Sequence, residues 1–177
     1  MKRQKGFTLV ELLIVIALLG ALAIGLIGAL DPFEQLKKGT DTGTRDLVNQ
    51  VQTAVLRYYA TTNKMPWTDQ TTTFSSTNLS AATINTALSN MMAAGEMKSN
   101  FKEIYSGQLD KVFVTYLPSS PTSSVEVRVC YQPGSKSFQV DPATKYDQSG
   151  VENTVTSGAT ACKSKDATGI NCFWCVQ

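Results

Sequence analysis

The sequence contains no histidine, and charged residues are few for a chain of 177 residues. Without histidine, the Ser-His-Asp and Cys-His catalytic arrangements and histidine metal sites are excluded, and the most frequent general base is missing. Lysine, arginine, aspartate and glutamate together make up 17% of the chain. Serine, threonine, asparagine and glutamine fill the difference, mainly after residue 60. This polar, weakly charged composition is more typical of an extracellular module than of a cytosolic enzyme.

Acidic side chains in the last third of the chain do not form a readable motif. Asp141, Asp147, Glu152 and Asp166 fall in predicted loops without regular spacing. An enzyme would need a nucleophile, an acid and a base close together. We therefore predict no catalytic residue, no metal site and no cofactor, and a membrane-anchored exported enzyme stays a remote alternative.

Positive charge is concentrated at the start of the chain. Of 16 basic residues, Lys2, Arg3 and Lys5 lie within the first six positions, which leaves 13 against 14 acidic residues in the remainder. The slightly negative remainder, with only a weak patch at Lys163 and Lys165, predicts no specific nucleic-acid partner. A basic tip beside an apolar segment is instead typical of a cytoplasmic anchor.

A long apolar run follows the basic tip. Residues Leu12 to Leu30 contain no charged or strongly polar side chain, and as a helix they would span roughly 28 Å, about one hydrocarbon core. The run is longer than the apolar part of a secretory signal peptide, and no Ala-x-Ala cleavage site follows a shorter one. We predict a single membrane-spanning helix with its N-terminus inside and the remainder outside the cytoplasm.

One acidic residue, Glu11, interrupts the apolar block that begins at Phe7. A carboxylate in this environment costs several kcal/mol unless it is neutralised or paired. Two interpretations follow from the position alone. Glu11 lies at the level of the lipid headgroups, or it awaits a positively charged partner from another subunit.

The residues around Glu11 carry a family resemblance. The segment Lys5-Gly6-Phe7-Thr8-Leu9-Val10-Glu11, between a basic leader and an apolar tract, resembles the class III signal of type IV prepilins and type II secretion pseudopilins. The resemblance implies that a prepilin peptidase in the membrane cleaves between Gly6 and Phe7 and that Phe7 is then N-methylated. It also implies that Glu11 pairs with the amino terminus of a neighbouring subunit in a helical homopolymer and so sets the axial register. Many family members carry a proline where Gly28 stands, so the chain departs from the family there.

The rest of the long helix is amphipathic. Asp31-Pro32 predicts an N-cap followed by a first-turn proline, and hence a kink or a helix restart. Apolar residues then recur at helical spacing up to a predicted end near Thr62, where Asn63 suits a C-cap and Pro66 forbids continuation. These residues are Leu47, Val48, Val51, Val55, Tyr58 and Tyr59. The exit from Tyr58 to Trp67 also resembles that of bacterial pilins and major pseudopilins.

The C-terminal part predicts a small α+β head. Residues 68–79 indicate a surface loop, and Ser80 to Ala94 a helix that Gly95 ends. Strands are predicted at Lys111 to Leu117, at Ser124 to Tyr131 and, after a turn, at Ser137 to Val140. The expected fold class is α+β and type IV pilin-like, with the long helix packed on a small antiparallel sheet and a disulfide-held C-terminal tail.

Four cysteines, Cys130, Cys162, Cys172 and Cys175, follow the apolar run, and an even number in an exported domain favours disulfides. Strand alternation places Cys130 on the face opposite the apolar one, where it can hold the tail. All three pairings stay open. Cys172-x-x-Cys175 also suggests a redox site, which would need a helix after Cys175. A four-cysteine zinc site usually shows two such pairs, and the sequence has one.

These expectations combine into a division of the chain into a cleaved leader (1–6), a membrane-spanning polymerisation helix (7–30), an amphipathic helix half (31–62) and a globular head (63–177). The function expected from the resemblance is a structural subunit of a type IV pilus-like filament. Its partners would be copies of itself, the prepilin peptidase, the assembly machinery with its ATPase, and the inner membrane before assembly. The alternative is a type II secretion pseudopilin, which would stay in the periplasm instead of reaching the cell surface.

Overall fold

The computed structural model describes residues 6–29, 31–68, 70–71, 73–118, 125–152 and 172–176. The chain forms two compact units, Met1–Leu36 and Lys37–Gln177. The helices are α1 (Leu9–Ala29), α2 (Pro32–Thr62), α3 (Ala82–Ala93), α4 (Phe101–Ile104) and α5 (Lys136–Gln139). The strands are β1 (Phe74–Asn78), β2 (Val112–Leu117), β3 (Glu126–Tyr131), β4 (Thr144–Tyr146) and β5 (Phe173–Val176).

Helix α2 begins and ends where local chemistry predicts. The Glu34 N–H donates to Asp31 Oδ1 at 3.3 Å, which confirms Asp31 as an N-cap ahead of Pro32. At the other end, Asn63 has a φ of 54°, and its N–H donates to the Tyr59 carbonyl at 2.8 Å. A left-handed asparagine is a common helix stop. The end predicted near Thr62 is therefore confirmed.

One face of α2 forms the centre of the head's core. Leu47, Val48, Val51 and Val55 are at most 1% exposed, and they follow the helical spacing that the sequence shows. The core is completed by α3 and by the apolar face of the sheet. Gly95, with a φ of 77°, lies just past α3 as predicted. Tyr58 packs against the core, whereas Tyr59 is 38% exposed.

The five strands form one antiparallel sheet in the order β1-β2-β3-β5-β4. Val127, Val129 and Tyr131 of β3 point into the core, as their alternation predicts. The opposite face carries a second, smaller cluster of Cys130, Phe173 and Cys175, with Phe113 and Tyr146 packed against it. The C-terminal strand β5 thus lies between two earlier strands.

Two predictions for the head are wrong. Residues 137–140, predicted as a return strand, lie in and just after the short helix α5 (Lys136–Gln139), because β5 occupies the place beside β3. Residues 68–79, predicted as a surface loop, contain β1 (Phe74–Asn78). The serine- and threonine-rich composition hides this edge strand, whose pairing with β2 prevails over its weak local preference.

The prediction that a disulfide from Cys130 attaches the C-terminal tail to the sheet is confirmed. Cys130 in β3 and Cys175 in β5 are direct partners across the sheet, with Cα atoms 4.1 Å apart, and are joined as a disulfide. In the described part of the tail, residues Phe173–Val176 enter the sheet as strand β5 instead of lying over its outer face. The fold is α+β, as predicted, with a long apolar N-terminal helix and a head that the disulfide closes.

Candidate assembly site

The predicted site residue Glu11 lies in the first turn of α1. Its Oε2 atom accepts hydrogen bonds from the Thr8 backbone N–H at 2.9 Å and from the Thr8 hydroxyl at 2.8 Å. The Glu11 N–H in turn lies 3.2 Å from the Thr8 hydroxyl oxygen, which accepts its hydrogen bond. Each residue therefore satisfies a backbone donor of the other.

This reciprocal arrangement is a capping box. Thr8 takes the N-cap position and Glu11 the third helical position, so two of the donors left unsatisfied at the start of a helix are satisfied. Thr8 was not among the predicted site residues, although a threonine three residues before a glutamate, ahead of an apolar run, is the signature of this motif. The site that holds the Glu11 carboxylate thus consists of two residues.

No lysine or arginine pairs with Glu11 within the part of the chain that the structure describes. The Thr8 donors hold the carboxylate by hydrogen bonds, but they carry no charge that would neutralise it. Within the described residues, the Glu11 carboxylate is therefore held by hydrogen bonds alone.

Gly6 and Phe7, on either side of the predicted cleavage position, precede α1 in non-helical backbone. The Phe7 side chain is 82% exposed, and no atom lies within 4 Å of a Cβ position at Gly6. The peptide bond between them is therefore open on the surface of the described chain. The basic residues of the leader, at positions 2, 3 and 5, lie outside the described residues.

Helix α1 has the length and composition to cross a membrane. Its stretch Leu9–Gly28 contains 20 residues with a mean hydropathy of 2.8, and none of it is buried. At 1.5 Å per residue it spans about 30 Å, which matches a hydrocarbon core. An exposed apolar helix of this kind is not stable in water unless a bilayer or other copies cover it. Membrane anchoring of the precursor is consistent with these properties.

The head offers little that resembles a catalytic or metal centre in the described ranges. No group of three or more His, Cys, Asp or Glu side chains there could hold a metal ion. Between α2 and residues 96–98 lies an open groove of about 320 Å³, where Arg57 pairs with Glu96 at 3.1 Å. In this groove the Glu96 carboxylate is engaged by Arg57, and no contact among the described residues places it as a base beside the Thr53 hydroxyl. Asp166, Lys163 and Lys165 lie outside the described residues.

The cysteines are in the oxidised state where the structure describes them. Cys130 and Cys175 are bonded to each other, and Cys172 is also disulfide-bonded. Sulfur atoms in a disulfide are not the thiolates that bind zinc. Cys175 is bonded to Cys130 and not, as it would be in an oxidised Cys-x-x-Cys redox motif, to Cys172. Cys162 lies outside the described residues.

Comparison with known proteins adds one match, at the N-terminus. Residues 1–27 match the family described as "Prokaryotic N-terminal methylation motif". No curated protein and no solved structure matches the chain. The matched segment contains Gly6, Phe7, Thr8 and Glu11 and extends through most of α1. The chain therefore carries a prokaryotic N-terminal methylation signal, which supports the resemblance to type IV prepilins and pseudopilins.

Proposed function

We propose that this chain is the precursor of a structural subunit of a type IV pilus-like filament. The observation that carries the proposal is the methylation signal at residues 1–27, which leads into an apolar helix with its side chains exposed. A single carboxylate, Glu11, lies near the start of that helix. Such a helix needs a cover, first a bilayer and then the helices of other subunits.

In the proposed maturation, a prepilin peptidase hydrolyses the bond between Gly6 and Phe7, and the new α-amine of Phe7 is methylated. The product begins one residue before the N-cap Thr8. Its ammonium would lie at the positive end of the α1 dipole, where a cation is disfavoured. A carboxylate close to that end lowers the cost, and Glu11 is the acidic residue of the first turn.

Assembly follows from the same electrostatics. Inside a filament core the dielectric constant is low, so an ammonium and a carboxylate attract strongly, whereas an unpaired one is costly to bury. We propose that Glu11 of one subunit pairs with the amino terminus of its neighbour. Subunits out of register would leave both charges unpaired, so the pair would set the axial position of each added copy.

The proposed organisation comprises the leader (1–6), a polymerisation helix (7–30), an amphipathic helix half (31–62) and the head (63–177). The precursor spans the inner membrane once with its N-terminus in the cytoplasm. The assembly ATPase and its membrane platform then move the mature subunit into a filament on the cell surface. The protein is structural, and no residue is assigned a catalytic role.

Three substitutions test the pairing of Glu11. Glu11→Ala removes the charge and the capping box, Glu11→Gln removes the charge but keeps an acceptor oxygen for Thr8, and Thr8→Ala removes the box but keeps the charge. We expect all three to insert into the membrane. Sheared surface filaments counted by negative-stain microscopy should be lost with both Glu11 variants and retained with Thr8→Ala.

The opposite pattern would remove the pairing role. Normal filament yield with Glu11→Ala or Glu11→Gln would show that the charge is dispensable. Loss of filaments with Thr8→Ala, together with normal filaments for Glu11→Gln, would assign Glu11 to helix capping alone. An intact Met1 start in working filaments, found by mass spectrometry, would contradict the maturation step.

The second candidate is a type II secretion pseudopilin, because the methylation signal fits that class equally well. A pseudopilin would form a short periplasmic polymer in place of a surface fibre. Fibres outside the cell support the pilus. Two results together would support the pseudopilin: cells that carry the gene show no surface fibres, and deletion of the gene impairs protein secretion.

A further inference from the structure

The first turns of α2 within the head have a sequence that favours helix poorly. Residues 37–45 read Lys-Lys-Gly-Thr-Asp-Thr-Gly-Thr-Arg. Each glycine disfavours helix by about 1 kcal/mol relative to alanine, and threonine and aspartate are also weak helix formers. These residues nevertheless continue the helix, with Asp41 5% and Thr44 4% exposed. Contacts from elsewhere in the head must therefore offset the poor propensity.

The first of these contacts is made by Asp41. Its Oδ1 atom accepts from the Gly134 N–H at 2.9 Å. Its Oδ2 atom accepts from the Ser135 N–H at 2.7 Å and from the Ser135 hydroxyl at 2.6 Å. Hydrogen bonds to an ionised carboxylate are stronger than those between neutral groups. This carboxylate therefore ties α2 to the connection between β3 and α5.

One turn later, Arg45 makes the second contact. Its guanidinium lies 2.9 Å from Asp141 Oδ2, 4.3 Å from the ring centroid of Phe138 and 4.6 Å from that of Trp174. A planar guanidinium can stack on aromatic rings and pair with a carboxylate at the same time, which a lysine ammonium cannot do equally well. Arg45 thus fills a slot whose walls come from two distant parts of the chain.

One wall of that slot depends on the disulfide. Trp174 lies in β5 beside Cys175, which is bonded to Cys130 of the neighbouring strand β3. Cys172, two positions before Trp174, is also disulfide-bonded. The bonds that hold β5 in the sheet therefore also place the Trp174 ring against Arg45.

From these contacts we propose that residues 37–46 form a conditional helix. It is ordered only when two contacts have formed. Residues 133–141, which include α5, must have docked on Asp41 and Arg45, and the disulfide-held β5 must have placed Trp174 against Arg45. Insertion of β5 into the sheet therefore stabilises the first turns of α2 in the head, which lie more than 120 positions earlier in the sequence. The proposal concerns folding within the head and does not depend on the filament function.

Hydrogen–deuterium exchange of the full chain in detergent micelles tests this coupling. With Arg45→Lys, which keeps the charge but weakens the stacking, and with Asp41→Asn, we expect amides in 37–46 to exchange about tenfold faster. Amides in 47–55, on the buried face of the same helix, should keep the wild-type rate. The matched control is Arg57→Lys. Arg57 also lies in α2, outside this segment, and likewise pairs with an acid, Glu96. It should leave exchange in 37–46 unchanged.

A second arm addresses the link to β5. Cys130→Ala combined with Cys175→Ala should accelerate exchange in 37–46. Trp174→Leu leaves the disulfide intact and should also accelerate exchange in 37–46. If the cysteine variant unfolds the head, Trp174→Leu alone tests the link between β5 and this segment. Wild-type exchange in 37–46 for Arg45→Lys and Asp41→Asn would overturn the conditional helix. Wild-type exchange there for Trp174→Leu would overturn its coupling to the tail.

Discussion

Gly150 lies directly against the disulfide sulfur of Cys130, so that a Cβ atom at position 150 would be 3.2 Å from Cys130 Sγ. The same Cβ would lie 2.7 Å from Cδ and 3.0 Å from Cβ of Arg128. Gly150 also has a φ of 79°, a conformation that other residues adopt at a cost. The turn from Asp147 to Val151 can therefore cover the outer face of β3 only with glycine at this position.

Replacing Gly150 by alanine should destabilise the head by about 2–3 kcal/mol, because the backbone strain of a positive φ adds to the steric overlap. Urea unfolding followed by tryptophan fluorescence measures this, since both tryptophans, Trp67 and Trp174, lie in the head. Gly95→Ala, at a φ of 77° but in open space, should cost only about 1 kcal/mol. Equal losses at both positions would mean that the contact with Arg128 and Cys130 is easily relieved.

Removal of the Cys130–Cys175 disulfide by alanine at both positions should cost about 4 kcal/mol on the loop-entropy account. The bond closes a loop with a sequence separation of 45 residues, and it holds a strand that has neighbours on both sides. The same unfolding measurement checks the value. A loss below about 1 kcal/mol would show that packing alone keeps β5 in place.

The remaining cysteines should pair with each other. Cys130 is joined to Cys175 and Cys172 is disulfide-bonded, so Cys162 is the partner that remains for Cys172 among the chain's four cysteines. Peptide mapping without reduction should recover a Cys162–Cys172 peptide. A peptide that joins Cys130 to Cys172 would contradict both the pairing and the register of β3 with β5.

Acid should weaken the contact between Arg45 and Asp141. The Ala143 N–H, which donates to the carboxylate, and the nearby Arg45 hold the pKa of Asp141 below its ordinary value, although partial burial opposes them. Because the folded-state pKa is depressed, this contribution to stability is present above the unfolded value of about 4 and is lost as the pH falls through the folded value. Asp141→Asn should flatten the pH dependence of the unfolding free energy below about pH 4. An unchanged slope would contradict this assignment.

Tyr131→Phe should leave stability at pH 7 unchanged or raise it by up to about 1 kcal/mol, since the Tyr131 hydroxyl is buried without a well-formed hydrogen bond. Burial raises the pKa of Tyr131, and Arg45 only partly opposes this. A raised pKa gives stability that is complete below the unfolded value of about 10 and is lost above it. The phenylalanine variant should therefore resist alkaline unfolding better. This can be measured in titrations from about pH 9 to about pH 11, which cover about one unit on each side of the unfolded pKa. Destabilisation at pH 7 would reveal a partner for the hydroxyl.

Elements with strong periodicity could be predicted from the sequence. The apolar tract of α1, the stripe on α2 and the alternation of β3 each involve several residues that repeat at one spacing. Caps and stops at Asp31, Asn63 and Gly95 depend only on neighbouring residues, so they were also readable. The same holds for the Thr8–Glu11 capping box, which was overlooked although its signature is local.

Features that depend on distant residues could not be predicted in this way. The strand β5 is four residues long, too short for its alternation to be recognised, and its cysteines predicted a disulfide but not a strand. Its position beside β3 excludes the predicted return strand at 137–140, and the polar β1 is defined by its pairing with β2. The contacts of Asp41 and Arg45 join residues more than 90 positions apart, for which no local pattern exists.

The position of β5 between β3 and β4 has a consequence for how the protein emerges during synthesis or export. In the described sheet, β4 pairs with β5 and with no other strand. A chain that appears from its N-terminus onward can assemble β1, β2 and β3 early. Among the described residues, β4 is bridged only at Tyr146, by Glu152, and has no neighbouring strand until residues 173–176 arrive. Forming such distant contacts is slow. The head would therefore expose an incomplete sheet edge at β3 until β5 is inserted, and during that interval it would be most vulnerable to proteases and to mispairing with other copies.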